Sequence, residues 1–387
     1  MPQSARNIVI LGSTGSVGTN TLEVIAAAGD RFSVAGLSAH RRLAELTSQA
    51  AAWNPRWIIA TDRQHAEQFR WSDLPSTTEV LYGEEGIQQA VSHGDVDTVV
   101  AAIVGSAGLR GTWTAVEAGK TVALANKETL VMAGPLVMDL ARRCGATILP
   151  VDSEHSAVFQ AMQSGKQDEI RRIILTASGG PFRRHTAAQL AEVTVEQALD
   201  HPTWNMGPKI TVDSATMMNK ALEIIEARWL FGIEPEKIDV VIHPQSIVHS
   251  LVEYVDGSVM AQLSPPDMKL PIQYALTYPE RTSGPADKLD FDTAFGLEFE
   301  PPDEHRFPAL TLGHEVARVG GTAGAVLNAA NEAAVQRFLD HEIRFTEIVP
   351  ACRAVLGNHN FDSNPSLDQL IQLDAWARQE VTRWVCA

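Results

Sequence analysis

The stretch from Asn7 to Gly18 constrains the fold most. Asn7-Ile8-Val9-Ile10-Leu11 is a short apolar run of the kind that forms a strand buried on both faces, and Gly12-Ser13-Thr14-Gly15-Ser16-Val17-Gly18 follows it at once. A helix-like run from Thr19 to Ala28 comes next, with Leu22, Val24 and Ile25 at its apolar positions. A strand, a glycine turn and a helix in that order let the backbone approach a pyrophosphate while the helix N-terminus faces its charge. The spacing is GxxGxxG, a variant of the usual fingerprint, and a tight turn without a ligand is the competing reading. A P-loop is excluded because no Gly-Lys-Ser/Thr follows.

The second strand, Phe32 to Leu37, would end in an acid if it met the ribose 2′-hydroxyl of NAD. It runs instead into Ser38-Ala39-His40-Arg41-Arg42, and two arginines there suit a 2′-phosphate, which favours NADP. The bland alternative is that both arginines open a solvated helix face. Further strand-like runs at Trp57 to Thr61, Val96 to Val104 and Thr121 to Ala125 alternate with helical segments, which predicts a doubly wound parallel sheet. The tips Gly105-Ser106-Ala107-Gly108 and Asn126-Lys127-Glu128 would share the carboxyl edge of that sheet with Gly12.

A sixth apolar run, Thr147 to Val151, ends in Asp152-Ser153-Glu154-His155. In an extended segment Asp152 and Glu154 would point to the same side, and two like charges held that close call for a cation between them. A hard divalent ion with oxygen ligands is the common solution, so the pair reads as half of a metal site. Two solvated acids after a strand are the alternative.

From about Ser156 the pattern changes. Arg171 to Thr176 reads as a strand, and Ala177-Ser178-Gly179-Gly180-Pro181 turns sharply after it, exposing backbone N–H groups suited to an anion, with a simple structural turn as the competing reading. Asp200-His201-Pro202-Thr203-Trp204-Asn205-Met206-Gly207-Pro208 is read as irregular, and a lid over a ligand would explain why such a loop carries Trp204 and Met206, as would a loop packed permanently on the core. In Asp213 to Ala227 the reading is a helix capped by Asp213 or Ser214, with Met218, Leu222 and Ile225 on its apolar face and Asn219, Glu223 and Glu226 on another. Lys220 lies beside that polar face, and Glu223 could supply a third carboxylate to the metal. Val240 to His243, Ile247 to Tyr254 and Val259 to Leu263 read as strands, the last two joined at Asp256-Gly257, so antiparallel pairing is expected. A proline-punctuated connection follows, and then helices at Leu310 to Val319, Ala323 to Leu339, Thr346 to Leu356 and Ser366 to Val385.

With 387 residues the chain exceeds one ordinary core, and its net charge of −16 disfavours nucleic acid and anionic membranes as partners. No apolar run approaches the roughly 20 residues of a membrane helix. Cys144, Cys352 and Cys386 form neither a disulfide framework nor a zinc spacing, which points to reduced thiols in the cytoplasm. The first strand begins too early to leave room for a signal or transit peptide, so neither is expected.

Taken together, Gly12 to Gly18, Ala125 to Glu128, Val151 to Glu154, Ser178 to Phe182, His201 to Gly207 and Asp213 to Glu226 resemble the 1-deoxy-D-xylulose 5-phosphate reductoisomerase family over nearly the whole chain. The resemblance implies a homodimer of the non-mevalonate isoprenoid pathway and a target of fosmidomycin. It implies conversion of 1-deoxy-D-xylulose 5-phosphate and NADPH into 2-C-methyl-D-erythritol 4-phosphate with Mg²⁺ or Mn²⁺. By matching motif, Asp152, Glu154 and Glu223 would bind the metal, with Lys127, Ser153 and Asn219 near the substrate hydroxyls. Ser178, Ser214, Asn219 and Lys220 would hold the phosphate, and His201, Trp204 and Met206 would belong to the closing loop. Thr14, Gly15, Ser16 and Val17 would cradle the NADPH pyrophosphate, helped by Asn126, Glu128 and Gly207. One departure is His40-Arg41-Arg42, where the family is expected to carry a glycine, a lysine or arginine, and an asparagine. The cationic role passes to Arg41.

The expected organisation is a Rossmann-like doubly wound parallel sheet over residues 1–155 and an α/β catalytic and dimerisation domain with antiparallel pairing over 156–278. A lid near 200–208, a linker over 279–308 and a C-terminal four-helix bundle over 309–387 complete it. Two other functions remain compatible with the residues alone, a different two-domain NADP-dependent dehydrogenase and a non-catalytic NADPH-binding regulator.

Overall fold

A computed structural model describes residues 5–204 and 206–385, so Asn205 and Cys386 lie outside the described residues. Packing groups the described residues into two units that are discontinuous in sequence. The first runs up to Thr129 and adds Val137–Ser156 and Asp267–Asp287. The second comprises Leu130–Leu136, Ala157–Pro266 and the chain from Lys288 onward. The helix Lys269–Thr277 belongs with the first unit. There Lys269 pairs with Glu23 at 2.8 Å.

In the first unit β1 (Arg6–Leu11), β2 (Phe32–Ala39), β3 (Trp57–Ala60), β4 (Glu79–Tyr82), β5 (Thr98–Ala101), β6 (Thr121–Leu124) and β7 (Thr147–Pro150) form one sheet in the order β4-β3-β2-β1-β5-β6-β7. Every pairing is parallel. Ile8 to Leu11, Val99, Val100, Val122 and Ala123 are buried, as strands covered on both faces must be. The chain reverses direction of winding between β1 and β5, and that switch point is where an open α/β sheet leaves a crevice at its carboxyl edge. The strand β4 was not expected from the sequence. It is an edge strand in which only Leu81 is buried, so it carries almost no apolar pattern.

In the second unit β8 (Ile170–Ala177), β9 (Ile238–Ile242), β10 (Val248–Tyr254) and β11 (Val259–Leu263) form a mixed sheet in the order β11-β10-β8-β9. As the hairpin signal at Asp256-Gly257 predicts, β10 runs antiparallel to β11, and it is also antiparallel to β8. The helix Met218–Phe231 and the C-terminal helices Ala309–Val319, Ala323–Leu339, Ile348–Asn358 and Leu367–Arg383 share one core with this sheet. Ile173, Leu175, Leu222, Ile225, Val326, Val335 and Ala377 meet in it. A Cβ added at Gly313 would lie 2.6 Å from the Ala221 Cα, so only glycine lets these two helices approach so closely. No helix among the described residues is long and apolar enough to cross a membrane.

Candidate functional site

The glycine turn after β1 is shaped by its backbone. Gly12 has φ +85°, and a Cβ there would lie 2.8 Å from the Ala102 carbonyl oxygen. Its N–H donates to Ser38 Oγ at 2.8 Å, which ties the turn to β2. The following helix is Ser16–Ala27, three residues earlier than its apolar pattern suggests, so Ser16, Val17 and Gly18 lie in its first turn. A Cβ at Gly18 would meet the Gly12 carbonyl oxygen at 2.3 Å, so helix and turn are in backbone contact. Gly15 caps the helix without any side-chain bond, which leaves the N–H groups of the first turn available to a pyrophosphate. These residues fit a dinucleotide.

At the carboxyl ends of β2 and β3, His40, Arg41 and Arg42 are exposed. Arg41 Nε donates to Asp62 Oδ2 at 3.1 Å, Arg42 lies 3.4 Å from Glu45, and His40 Nδ1 is 3.0 Å from Thr61 Oγ1. Asp62 also accepts from the His65 N–H. That bond and the Arg41 guanidinium hold its carboxyl below the usual range.

Asn126 is committed inward. Its amide donates to the Ile103 and Gly105 carbonyls at 2.7 and 2.9 Å and to Glu128 Oε2 at 2.9 Å, while its carbonyl accepts from the Thr129 N–H at 3.1 Å. It therefore braces the loops after β5 and β6 together, and Glu128 is bound into the same brace.

Asp152 and Glu154 do not sit in an extended segment. The chain bends at Asp152 and enters the helix Ser153–Ala161, where Asp152 Oδ1 accepts from the Glu154 N–H at 3.2 Å. The strand-based reason for their facing one way is thus replaced by a helix start. Lys127 Nζ is 2.7 Å from Asp152 Oδ2 and His155 Nδ1 is 3.4 Å from Oδ1. Burial alone would raise the Asp152 carboxyl, but the Lys127 ammonium and the His155 ring reverse this and hold it well below the usual carboxylate range. Ser153 Oγ donates to Glu154. The fully buried His155 was not singled out from the sequence, although its place three residues after Asp152 in a helix start is the signal that would have found it.

In the second unit Ser178 follows β8, and its hydroxyl lies 3.1 Å from His201 Nε2, which is also 3.1 Å from Ser214 Oγ. His201 Nδ1 accepts from the N–H groups of Thr203 and Trp204 at 3.1 and 2.9 Å. Nδ1 therefore carries no proton, Nε2 does, and the ring is a donor toward the two serines. Burial lowers the His201 pKa and favours this neutral form. Trp204 and Met206 are half-buried, with the Trp204 ring 6.4 Å from that of His249, so their apolar side chains are partly covered.

Asp213 and Ser214 do not cap the helix that carries Glu223. They lie inside a separate helix, Pro208–Ala215, which starts with Pro208 at its first position and Gly207 as its cap. Met217, with φ +63°, breaks the chain before the helix Met218–Phe231 begins. Asn219 and Lys220 therefore fall in the first turn of that helix. Glu223 is fully buried and its carboxylate accepts from both Asn219 and Lys220. Asp152 and Glu154 in the first unit and Glu223 in the second each offer carboxylate oxygens, the donor type that suits a hard ion such as Mg²⁺ or Mn²⁺.

Three family models match the chain. One described as 1-deoxy-D-xylulose 5-phosphate reductoisomerase covers residues 8–134, and the two describing C-terminal domains of that enzyme cover 148–231 and 263–380. A 1-deoxy-D-xylulose 5-phosphate reductoisomerase of Ectopseudomonas mendocina is 51% identical over 99% of this chain and 99% of its own. One of Heliobacterium modesticaldum is 51% identical over 98% and 97%. A crystal structure of a reductoisomerase in complex with NADPH, fosmidomycin and magnesium superposes with TM-score 0.92 at 42% identity over 98% of both chains. The Zymomonas mobilis enzyme in complex with NADPH gives 0.89 at 43% identity, again over 98% of both. Matches of this identity along the entire chain mean that it belongs to the 1-deoxy-D-xylulose 5-phosphate reductoisomerase family.

Proposed function

We propose that the protein converts 1-deoxy-D-xylulose 5-phosphate and NADPH into 2-C-methyl-D-erythritol 4-phosphate with Mg²⁺ or Mn²⁺, within isoprenoid precursor synthesis. The observation that carries this reading is that, in a chain of this family, two carboxylates, one fully buried and one 12% exposed, are each matched by a buried ammonium group. Lys127 lies against Asp152, and Lys220 against Glu223. Relatives in crystal structures hold NADPH and magnesium, which supports the same cofactors here.

Asp152, Glu154 and Glu223 bind the divalent ion. When bound, the ion supplies Lewis-acid polarisation of a carbonyl and NADPH supplies hydride. The chain's own residues orient the substrate and manage its charge. Ser178, Ser214, Asn219 and Lys220 hold the phosphate, and His201 adds a donor at Nε2. Lys127 and Ser153 meet the substrate hydroxyls, and the Lys127 ammonium, already balanced by Asp152, can stabilise developing negative charge on oxygen. Thr14, Gly15, Ser16 and Val17 cradle the pyrophosphate, His40, Arg41 and Arg42 face the 2′-phosphate, and Asn126, Glu128 and Gly207 complete the cofactor site. The loop near 200–208, bearing Trp204 and Met206, closes over the substrate and excludes water.

The domain scheme of a cofactor region to residue 155, a catalytic region to 278, a linker to 308 and a C-terminal bundle belongs to the same proposal. So do a homodimer and a cytoplasmic location. The edge strand β11 exposes Val259 and Met260, which supports pairing with a second copy. Reduced nicotinamide and sugar phosphates are metabolites of the cell interior, which supports the location.

The test is loss of nicotinamide absorbance on mixing purified protein with 1-deoxy-D-xylulose 5-phosphate, with NADPH or NADH, and with Mg²⁺, Mn²⁺ or a chelator. Substrate- and metal-dependent oxidation that prefers NADPH supports the reading. NADPH binding without oxidation would sink it and leave only the cofactor site standing.

A further inference from the structure

A buried hydrogen bond joins the short helix Pro208–Ala215 to the C-terminal helix Ala323–Leu339. Asn331 Nδ2 donates to Asp213 Oδ1 at 2.8 Å, and Asp213 Oδ2 lies 2.8 Å from Lys209 Nζ, one turn earlier on its own helix. Asp213 is 1% exposed and Asn331 0%. An apolar residue would pack at this position without the desolvation cost of a carboxylate, so filling space does not account for the acid.

The helix that carries Asp213 explains it better. Eight residues with a glycine cap and no side-chain capping bond do not hold a helix in water, so its neighbours set its place. Apolar burial is non-directional and leaves such a helix free to rotate about its axis, whereas a hydrogen bond to a fixed side chain is directional. Ser214 is the next residue, and its hydroxyl is the one 3.1 Å from His201 Nε2. On the far side of the same turn, Gly180, at φ +64°, brings the loop after β8 against the Ser214 carbonyl, where a Cβ would sit 2.9 Å away. Anchoring Asp213 therefore fixes the bearing of Ser214 toward Ser178 and His201.

We propose that Asp213 and Asn331 are positioning residues for the phosphate donor Ser214, so that a C-terminal helix sets the affinity for the phosphorylated substrate. This rests on the reading of Ser178, His201 and Ser214 as phosphate donors. The test uses the full-length protein and two independent readouts, calorimetric titration with inorganic phosphate and steady-state kinetics with 1-deoxy-D-xylulose 5-phosphate. Asn331→Leu is expected to weaken phosphate and raise the substrate KM by about tenfold, with kcat and the NADPH Kd within about twofold. Asp213→Asn, which can still accept from Asn331, is expected to stay within about threefold of the unaltered protein for phosphate. Unchanged phosphate affinity and KM in Asn331→Leu would overturn the proposal, as would a parallel loss of NADPH affinity. If Asn331→Leu binds no NADPH, Asn331→Ser is read by the same criteria, and failure of both to bind NADPH marks the pair as a general stability element and also overturns it. Absence of turnover in the unaltered protein would count against the proposed reaction, while the phosphate titration would still decide this point.

Discussion

Lys127 Nζ lies 2.7 Å from Asp152 Oδ2, and the two side chains are only 6% and 12% exposed. A buried ion pair of this kind contributes little net stability, but removing one partner strands the other charge. Asp152→Asn is expected to lower stability by about 3 kcal/mol in a denaturant titration. The same substitution, or Glu223→Gln, should cut turnover by at least about a thousandfold, because several kcal/mol of charge stabilisation disappear with the metal ligand. The NADPH Kd should stay as it is. Ordinary turnover in either variant would remove that residue from the metal site.

Arg41 is an exposed guanidinium steered by Asp62 at the carboxyl end of β2. If it reads the 2′-phosphate, Arg41→Ala should weaken NADPH by about 10- to 100-fold and NADH by less than about threefold, as followed by cofactor fluorescence. Equal losses for the two cofactors would show that Arg41 has some other task.

Gly180 is held at φ +64° against the helix Pro208–Ala215. Gly180→Ala meets both a left-handed backbone, at about 1–2 kcal/mol, and a Cβ too close to the Ser214 carbonyl. The melting temperature should fall and the KM for the phosphorylated substrate should rise, while the NADPH Kd stays constant. A variant with the parent's KM would mean that the loop after β8 does not shape the phosphate donors.

Burial lowers the pKa of His201, so the ligand-free protein should show this ring titrating below the usual histidine midpoint of about 6.5. Between the two midpoints the unfolded chain binds more protons than the folded one. The stabilising effect is therefore complete above about pH 6.5 and is lost as the pH falls through the folded midpoint. Nitrogen-15 NMR of the imidazole should report the proton on Nε2 at neutral pH. A midpoint above 6.5, or a proton on Nδ1, would contradict the bonds that Thr203 and Trp204 make to this ring.

Much of the architecture was legible because it is written locally. Short apolar runs followed by turn residues marked β1 to β3 and β5 to β11, and the helix Ala323–Leu339 was bounded by its own pattern. The strand β4 escaped because an edge strand with one buried residue has no pattern to read. The misplaced cap at Asp213 had a different cause. The break at Met217 is a positive φ in a residue that rarely adopts one, and nothing in the run Ala215 to Asn219 advertises it. His155 stood in plain sight beside Glu154, yet its contact with Asp152 exists only once the segment is helical.

The sequence by itself determined most of the strands and helices, the parallel character of the first sheet and the antiparallel hairpin of the second, and the residue types that make a family of this chemistry recognisable. Those depend on periodicity and turn chemistry within a few residues of each position. Which charges face one another was decided only by the tertiary structure. Lys127 finds Asp152, and Asn331 finds Asp213 across 118 residues of chain, because burial makes an unmatched polar group costly and the packed fold alone says which partner is within reach.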